Sequence, residues 1–440
     1  MLGFSPDQNQ TDMFIPLLKD FINMQHELVL LADKIDWHEL EESLQDKYSD
    51  RGTRAKPLRL TIGLLLLKRL YNLGDETVCA AWIRDPYMQY FCGEAHFQHH
   101  LPCDPSDLVH FRKRMGEEGL TKIFTYSVKM HGKAAQSKSV LSDTTVQENN
   151  IAYPTDAKLA KKVLDKCNGI AKKEHISQRQ SYVRVSKQLL RDCYNAIHPN
   201  RAKKAHKARR KLRTIANRQV RELARKLTPE ASKRYQAKLH LFEQVLRQQR
   251  HDKNKIYSVH KPFTACIAKG KPHKKYEYGN KIGLMMHPKK LLILAVESFP
   301  GNPHDSKTIA PLLSQMEERL GYQPGEVVYD RGGRGRAKIN QTYISTPGKP
   351  LKNDTPYQKT KKRKKFRRRA AIEPVIGHLK SRFRMQDNFL HGADSPKLNA
   401  LLAATAWNMK KLMEKLKEEA LNRLSPFRLL YQFFLSFRYC

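Results

Sequence analysis

SVLSDTTVQ, residues 139–147, is short, β-branched and apolar on either side of one acid, Asp143. Val and Thr branch at Cβ and pack well on a pleated surface, so the stretch is predicted to be a strand. Aspartate is depleted in strands and costly to bury unpaired, so an acid flanked by Val140, Leu141 and Val146 needs a reason. A second acid of this kind, Asp330, ends the run Val327-Val328-Tyr329 and precedes the glycine turn RGGRG. A third, Glu373, follows a cluster of basic residues in FRRRAAIEPVIGHLK. If the two strands are neighbours in one sheet, both aspartates meet near the same strand edge, and a glutamate from a packed helix can join them. Three carboxylates suit two divalent ions, one activating the attacking hydroxyl and the other stabilising the leaving oxygen of an in-line displacement. Mg²⁺ fits because it prefers oxygen ligands and keeps several waters.

C-terminal to Lys255, strands are predicted in KIYSVH, FTACIAKG, KIGLMM and LLILAVESF. GNPHDSK reads as a turn whose Asp305 or Ser306 caps a helix carrying Ile309, Leu312, Leu313, Met316 and Leu320. Strands followed by helices place the chain in the mixed α/β class. The basic run Lys359–Arg369 leads to Glu373 and to a long, weakly amphipathic helix directed at Lys417. On a continuous helix Arg369, Glu373 and Lys380 share one face. Pro374 disfavours helix at Glu373, so the helix either starts there or kinks there.

Between residues 174 and 250 the chain reads as helical and intensely basic. Its apolar stripes are Val183, Leu190 and Ile197, then Leu212, Ala216, Val220, Leu223 and Leu227, then Tyr235, Leu239, Phe242 and Leu246. This is a helical hairpin or small bundle inserted into something else, its charged face either lying along phosphates or simply solvated. Thr155 opens a preceding helix through LAKKVLDKC. The N-terminal part is also helical. Leu58, Ile62, Leu65 and Leu66 recur at helical spacing, and Asp75 is placed to cap ETVCAAWIR. Asp104 and Pro105 start a helix that turns Leu108, Phe111 and Met115 inward and His110, Arg112 and Arg114 outward. A helix-turn-helix-like DNA reader and a plain helical domain both fit this pattern.

Composition narrows the partner. The chain has 440 residues, 82 Lys plus Arg against 43 Asp plus Glu, and a formal charge of +39. That excess repels itself in a folded molecule and is explained by a polyanionic partner that releases counterions on binding. Hydrophobic residues make up 40%, enough for folded cores. No stretch approaches the roughly 20 apolar residues that span a bilayer. The start, MLGFSPDQNQTDMF, lacks the features of a signal peptide, which points to a cytoplasmic, nucleoid-associated protein without membrane contact. The seven cysteines include no C-x-x-C pair and read as reduced. Cys92, His96, His99, His100 and Cys103 have zinc-capable side chains, but their spacing fits no standard finger and reads as a packed loop.

The pattern Phe366-x-x-Arg369-x-x-x-Glu373-x-x-x-x-x-x-Lys380 resembles the Tyr-Arg-Glu-Lys signature of insertion-sequence DDE transposases, whose triad is also ordered Asp, Asp, Glu. SDTTV resembles the first-aspartate segment of their InsH-like branch, and GNPHDSKT and YDRGGRG resemble its later core segments. LLLLKRLYNLGDETV, FCGE and DPSDLVHFRKR resemble that branch's N-terminal helical domain. The likeness runs from about Met1 to Leu412. It implies an RNase H-like core over 131–173 and 251–425, split by a basic helical insertion over 174–250. It further implies a DNA-end-binding helical domain over 1–130. By its composition, the apolar, aromatic-rich tail over 426–440 either packs on the core or on a partner subunit, or is adventitious sequence at an element's end. The implied activity is Mg²⁺-dependent cleavage at the element's ends, with Mn²⁺ able to substitute, followed by 3′-hydroxyl attack on target DNA. Asp143, Asp330 and Glu373 carry over as catalytic metal ligands, and Arg369 and Lys380 as phosphate contacts, with Arg331, Arg112 and Arg114 as further DNA contacts. The implied partners are double-stranded DNA, at the terminal inverted repeats and the target, and a second copy or more of the chain. Phe366 stands where the signature has tyrosine, and Gly333 where the branch often has an aromatic residue. Two other readings stay open: an RNase H-like nuclease without strand transfer, and a DNA-binding protein without catalysis.

Overall fold

The computed structural model describes residues 3, 14–49, 51–194, 198–249, 251–271, 274–349 and 353–436. Helices come first: α1 (Leu18–Phe21), α2 (Glu27–Lys34), α3 (Trp37–Glu42), α4 (Leu58–Leu70), α5 (Asp75–Trp82), α6 (Pro86–Phe91) and α7 (Pro105–Lys129). Strand β1 (Ser139–Asn149) follows, then α8 (Asp156–Lys173), α9 (Val183–Asp192), α10 (Pro199–Lys226) and α11 (Pro229–Arg247). The second half holds β2 (Ala265–Lys271), β3 (Lys274–Met286), β4 (Ile293–Phe299), α12 (Ile309–Leu320), β5 (Glu326–Val328), β6 (Lys338–Ile339) and β7 (Thr342–Ser345). It closes with α13 (Pro356–Arg369), α14 (Ile372–Ser381), β8 (Asp387–Asn388) and α15 (Ser395–Ser436).

β1 is the hinge of one mixed sheet. It pairs antiparallel with β3 and parallel with β5. β3 pairs antiparallel with β4, and β5 pairs parallel with β7. The resulting order β4-β3-β1-β5-β7 is that of the RNase H-like core implied by the sequence. β3 is long enough to serve two partners, β2 along its first half and β4 along its second. β8 extends the far end of β1. The segment KIYSVH forms no strand: it is irregular, and Ile256 and Val259 pack against the inserted helices instead.

Leu18, Ile22 and Val29 form a small cluster within the N-terminal helices, and the rest of these helices share a core with the sheet. One apolar cluster runs from Leu28 through α4, α7, the sheet and α12 to Met413. The long helix expected from Glu373 toward Lys417 is two, because β8 interrupts it. α15 is weakly amphipathic as expected, because Ala400 to Met409 are buried on all faces, with β4, α7 and α2 among its neighbours. Asn408 is fixed there by accepting from Ile293 N–H at 2.9 Å and donating to Ile293 C=O at 2.9 Å. This satisfies both backbone groups where β4 begins, which buried amides require.

The inserted helices have their own cluster, from Ala157 to Val259. α8 belongs to it, so the helical unit begins before residue 174, right after β1. The second and third stripes are buried as expected, but α9 buries Ser186 and Leu189 while Val183 is exposed; Ile197 lies outside the described residues. Thr228 caps α11 through Ala231 N–H at 3.3 Å. The backbone of 426–436 continues α15; the side chains of the apolar tail and residues 437–440 lie outside the described residues. No described helix is long and apolar enough to cross a membrane.

Candidate active site

The register of β1 against β5 decides where the aspartates stand. Leu141 lies opposite Val328 in parallel pairing. Asp143 is two residues beyond Leu141, and Asp330 two beyond Val328, so Asp143, within β1, and Asp330, just past the end of β5, stand at the same level. β5 ends at Val328; Tyr329 N–H then reaches Ser345 C=O at 2.9 Å and turns the chain into the RGGRG segment. There Asp330 Oδ1 accepts from Gly332 N–H at 2.9 Å and holds a single 3₁₀ turn, Arg331–Gly333.

A third aspartate joins them. Asp305 was expected as a helix cap, but α12 is capped at Thr308, and Asp305 faces the sheet instead. Its Oδ1 accepts from Thr144 Oγ1 at 2.9 Å and from Lys281 Nζ at 2.9 Å. A Cβ at Gly332 would lie 2.6 Å from Asp305 Oδ2 and 3.0 Å from Asp330 Oδ1, so the turn needs glycine to let the two carboxylates approach. The signal for Asp305 was present in GNPHDSKT, but turn chemistry alone reads it as a cap. Gly333 is equally constrained: its Cβ would strike the Tyr329 ring at 2.6 Å, which leaves no room for an aromatic residue in this arrangement.

Glu373 comes from the other side. α13 ends at Arg369, two residues turn, and α14 begins at Ile372, so Arg369 and Glu373 lie on separate helices. They still meet: Arg369 donates to Glu373 Oε1 at 2.8 Å and to Asp143 Oδ2 at 3.3 Å. A guanidinium therefore bridges the first and third acids. Burial pushes the Asp143 carboxyl up to about 6, with the negative Asp330 and Asp305 adding to it and the Thr144 N–H and Arg369 opposing. An ionised Asp143 thus depends on a nearby cation, and in this conformation Arg369 supplies it.

The donor set is hard oxygen, the kind that Mg²⁺ and Mn²⁺ take. Among the described residues no three such side chains already surround one point as a metal site. Arg369 occupies the gap between Asp143 and Glu373.

The other expected contacts separate. Arg331 and Arg114 are exposed, Arg114 lying over the Tyr48 ring at 4.6 Å. Lys380 is half-buried on α14, two turns beyond Glu373. Arg112 is not on an outer face: it is 6% exposed and grips Asp75 with both nitrogens, at 2.7 and 2.8 Å. Asp75 does not cap α5 but neutralises Arg112 and Lys68, and Gly74 takes the cap position. Of the cysteine–histidine group, Cys92 and Cys103 are buried, and His96 meets the Pro16 carbonyl at 3.2 Å.

Comparison with known proteins finds transposase domains in two stretches of the chain. Residues 16–114 match the family described as Transposase domain (DUF772), and residues 244–409 match Transposase DDE domain. An uncharacterized protein, ORF8 in the nfe locus of Rhizobium meliloti, is 39% identical over 187 residues, covering 41% of this chain and 90% of that protein. No solved structure matches.

Proposed function

The chain belongs to the insertion-sequence DDE transposases, enzymes that act on DNA, and from that premise we propose that Asp143, Asp330 and Glu373 are its catalytic carboxylates. The family generally depends on divalent metal. Here the ions would be two Mg²⁺, with Mn²⁺ able to replace them, held by those three residues. Bound there, they supply activation of the attacking hydroxyl and stabilisation of the leaving oxygen at a phosphodiester. The reaction is cleavage at the element's ends followed by strand transfer into target DNA.

One observation carries the reading. Asp143, within β1, and Asp330, just past the end of the adjacent parallel β5, stand level with each other, beside a helix whose glutamate is tied to the first of them through Arg369. A structural role alone does not explain three acids beside a buried strand centre. Asp305 accepts from Thr144 of β1, next to Asp143, and from Lys281 of the neighbouring β3, and so ties the two strands together beside Asp143. Arg369 and Lys380 turn to phosphates once DNA is seated, and the exposed Arg331 and Arg114 add backbone contacts. Arg112, buried and paired with Asp75, is withdrawn as an outer-face contact to the duplex backbone. The N-terminal helices would hold the element's terminal repeats, the basic outer face of α10 would follow phosphates, and two or more copies would bring both ends together.

Asp330→Asn tests the assignment. Divalent-dependent cleavage of an element end should be lost while DNA affinity stays within about twofold. Cleavage retained by the variant removes Asp330 from the triad. Cleavage without any joined donor–target product in the wild type leaves a nuclease, and binding without cleavage leaves a DNA-binding protein.

A further inference from the structure

A cleft of about 690 Å³ opens where the N-terminal helices meet the segment after α14. Its lining is unusual in charge. Lys68, Arg112, Lys113 and Arg384 face only Asp75 and Asp394. Asp75 is already shared between Lys68 and Arg112. Arg69, directly behind, is 2% exposed and spends its guanidinium on the carbonyls of Phe383 and Arg384, leaving Nε without a partner. Burying this much positive charge is unfavourable unless an anion completes it. Burial and the neighbouring Arg112 draw the Lys68 ammonium down to about 8, the expected response to that deficit.

The same cleft has an apolar side. Phe389 is 53% exposed and Val109 48%, although both border a cavity that could shelter them. The wall is fixed rather than loose. Asn388, fully buried, bonds Asn149 and Ser395 and receives Leu390 N–H, which anchors the loop that presents Phe389. Arg384 is held to Asn72 C=O at 3.0 Å and carries its guanidinium 5.8 Å from the Phe389 ring centre. A cationic floor beside an exposed aromatic face is the combination that binds a nucleobase with its phosphate. The volume lies in the range of small-ligand sites, about 300–1,000 Å³, and is too confined for a duplex. β8 lies beside the end of β1, about 20 Å along the strand from Asp143, within reach of the same DNA.

We propose that this cleft takes one unpaired nucleotide of the DNA substrate, its phosphate on the cationic floor and its base against Phe389. The proposal rests on the chain's being a DNA enzyme but not on the identity of its triad.

The test uses the full chain and fluorescence anisotropy, with a short single-stranded oligothymidine and a mixed-sequence duplex as probes. Phe389 is exposed, so Phe389→Ala leaves the core intact. The variant should bind the single strand about 5- to 100-fold more weakly, the range for loss of one stacking contact, and the duplex within about twofold. Phe389→Trp should restore single-strand binding and add indole fluorescence that the oligothymidine quenches. Unchanged single-strand affinity in Phe389→Ala, equal weakening for both probes, or a wild type that binds only the duplex each overturns the proposal. A wild type that binds neither probe overturns the reading of the chain as a DNA enzyme.

Discussion

Replacing Asp143 by asparagine should stabilise the metal-free protein, and more so at neutral than at acid pH. The Asp143 side chain is 17% exposed, and burial raises its carboxyl from 3.8 to about 6. The folded state therefore holds this proton more tightly than the unfolded chain. Stability is lost as pH rises through this window, the reverse of a salt-bridged carboxylate whose affinity for protons is lowered. The shift costs the native state about 1 kcal/mol at pH 4.5 and about 3 kcal/mol at pH 7.5. Asparagine carries no such cost. The pairing of Asp143 with Arg369 is already part of the balance that sets the carboxyl at about 6, so losing it adds no separate pH dependence. Relative to the wild type, Asp143→Asn should thus gain about 2 kcal/mol between pH 4.5 and pH 7.5. Trp37, Trp82 and Trp407 all lie in the cluster that contains the sheet, so urea unfolding in EDTA followed by tryptophan fluorescence reports on this core. Adding Mn²⁺ should then stabilise the wild type and not the variant, because only a state that binds the ion gains from it. A variant whose stability relative to wild type is the same at both pH values would refute the argument that burial controls this carboxyl.

Two further outcomes follow from named contacts. Arg369→Gln should lower metal-free stability by about 1–3 kcal/mol, because two carboxylates lose their shared cation, and should tighten Mn²⁺ binding measured by electron paramagnetic resonance. Weaker Mn²⁺ binding would show instead that Arg369 does not compete for the site. Asn408→Leu should cost about 2–5 kcal/mol in the same urea assay, since it orphans both backbone groups of Ile293 inside the core; a cost under about 0.5 kcal/mol would mean that the end of β4 repacks.

Much of the fold and of the candidate site was legible because the signals are local. β1 and β5 are short apolar β-branched runs, and an acid in or after such a run is conspicuous in any single sequence. The stripes of α10 and α11 follow the helical period and are buried as read. Errors arose where a residue's role depends on a distant partner. Arg112 has the spacing of an outward residue beside His110 and Arg114, but Asp75, 37 positions away, draws it inside. Asp305 looks like a cap, yet its partner Thr144 is 161 positions distant. KIYSVH has the composition of a strand but finds no neighbouring strand edge, so its apolar side chains go to the helical unit.

By itself the sequence determined the mixed α/β class, the basic excess that calls for a polyanion, and which acids stand where acids are costly. These are properties of composition and short-range spacing, which no folding event changes. Only the tertiary structure decided where the acids stand relative to one another. That required the parallel pairing of Leu141 with Val328, which sets Asp143 and Asp330 level, and the turn between α13 and α14, which places Arg369 between Asp143 and Glu373. Strand register is fixed by burial of a whole sheet face, since a one-residue slip would turn every side chain of the strand to the other side. It is therefore a property of the assembled core, and so is the site that depends on it.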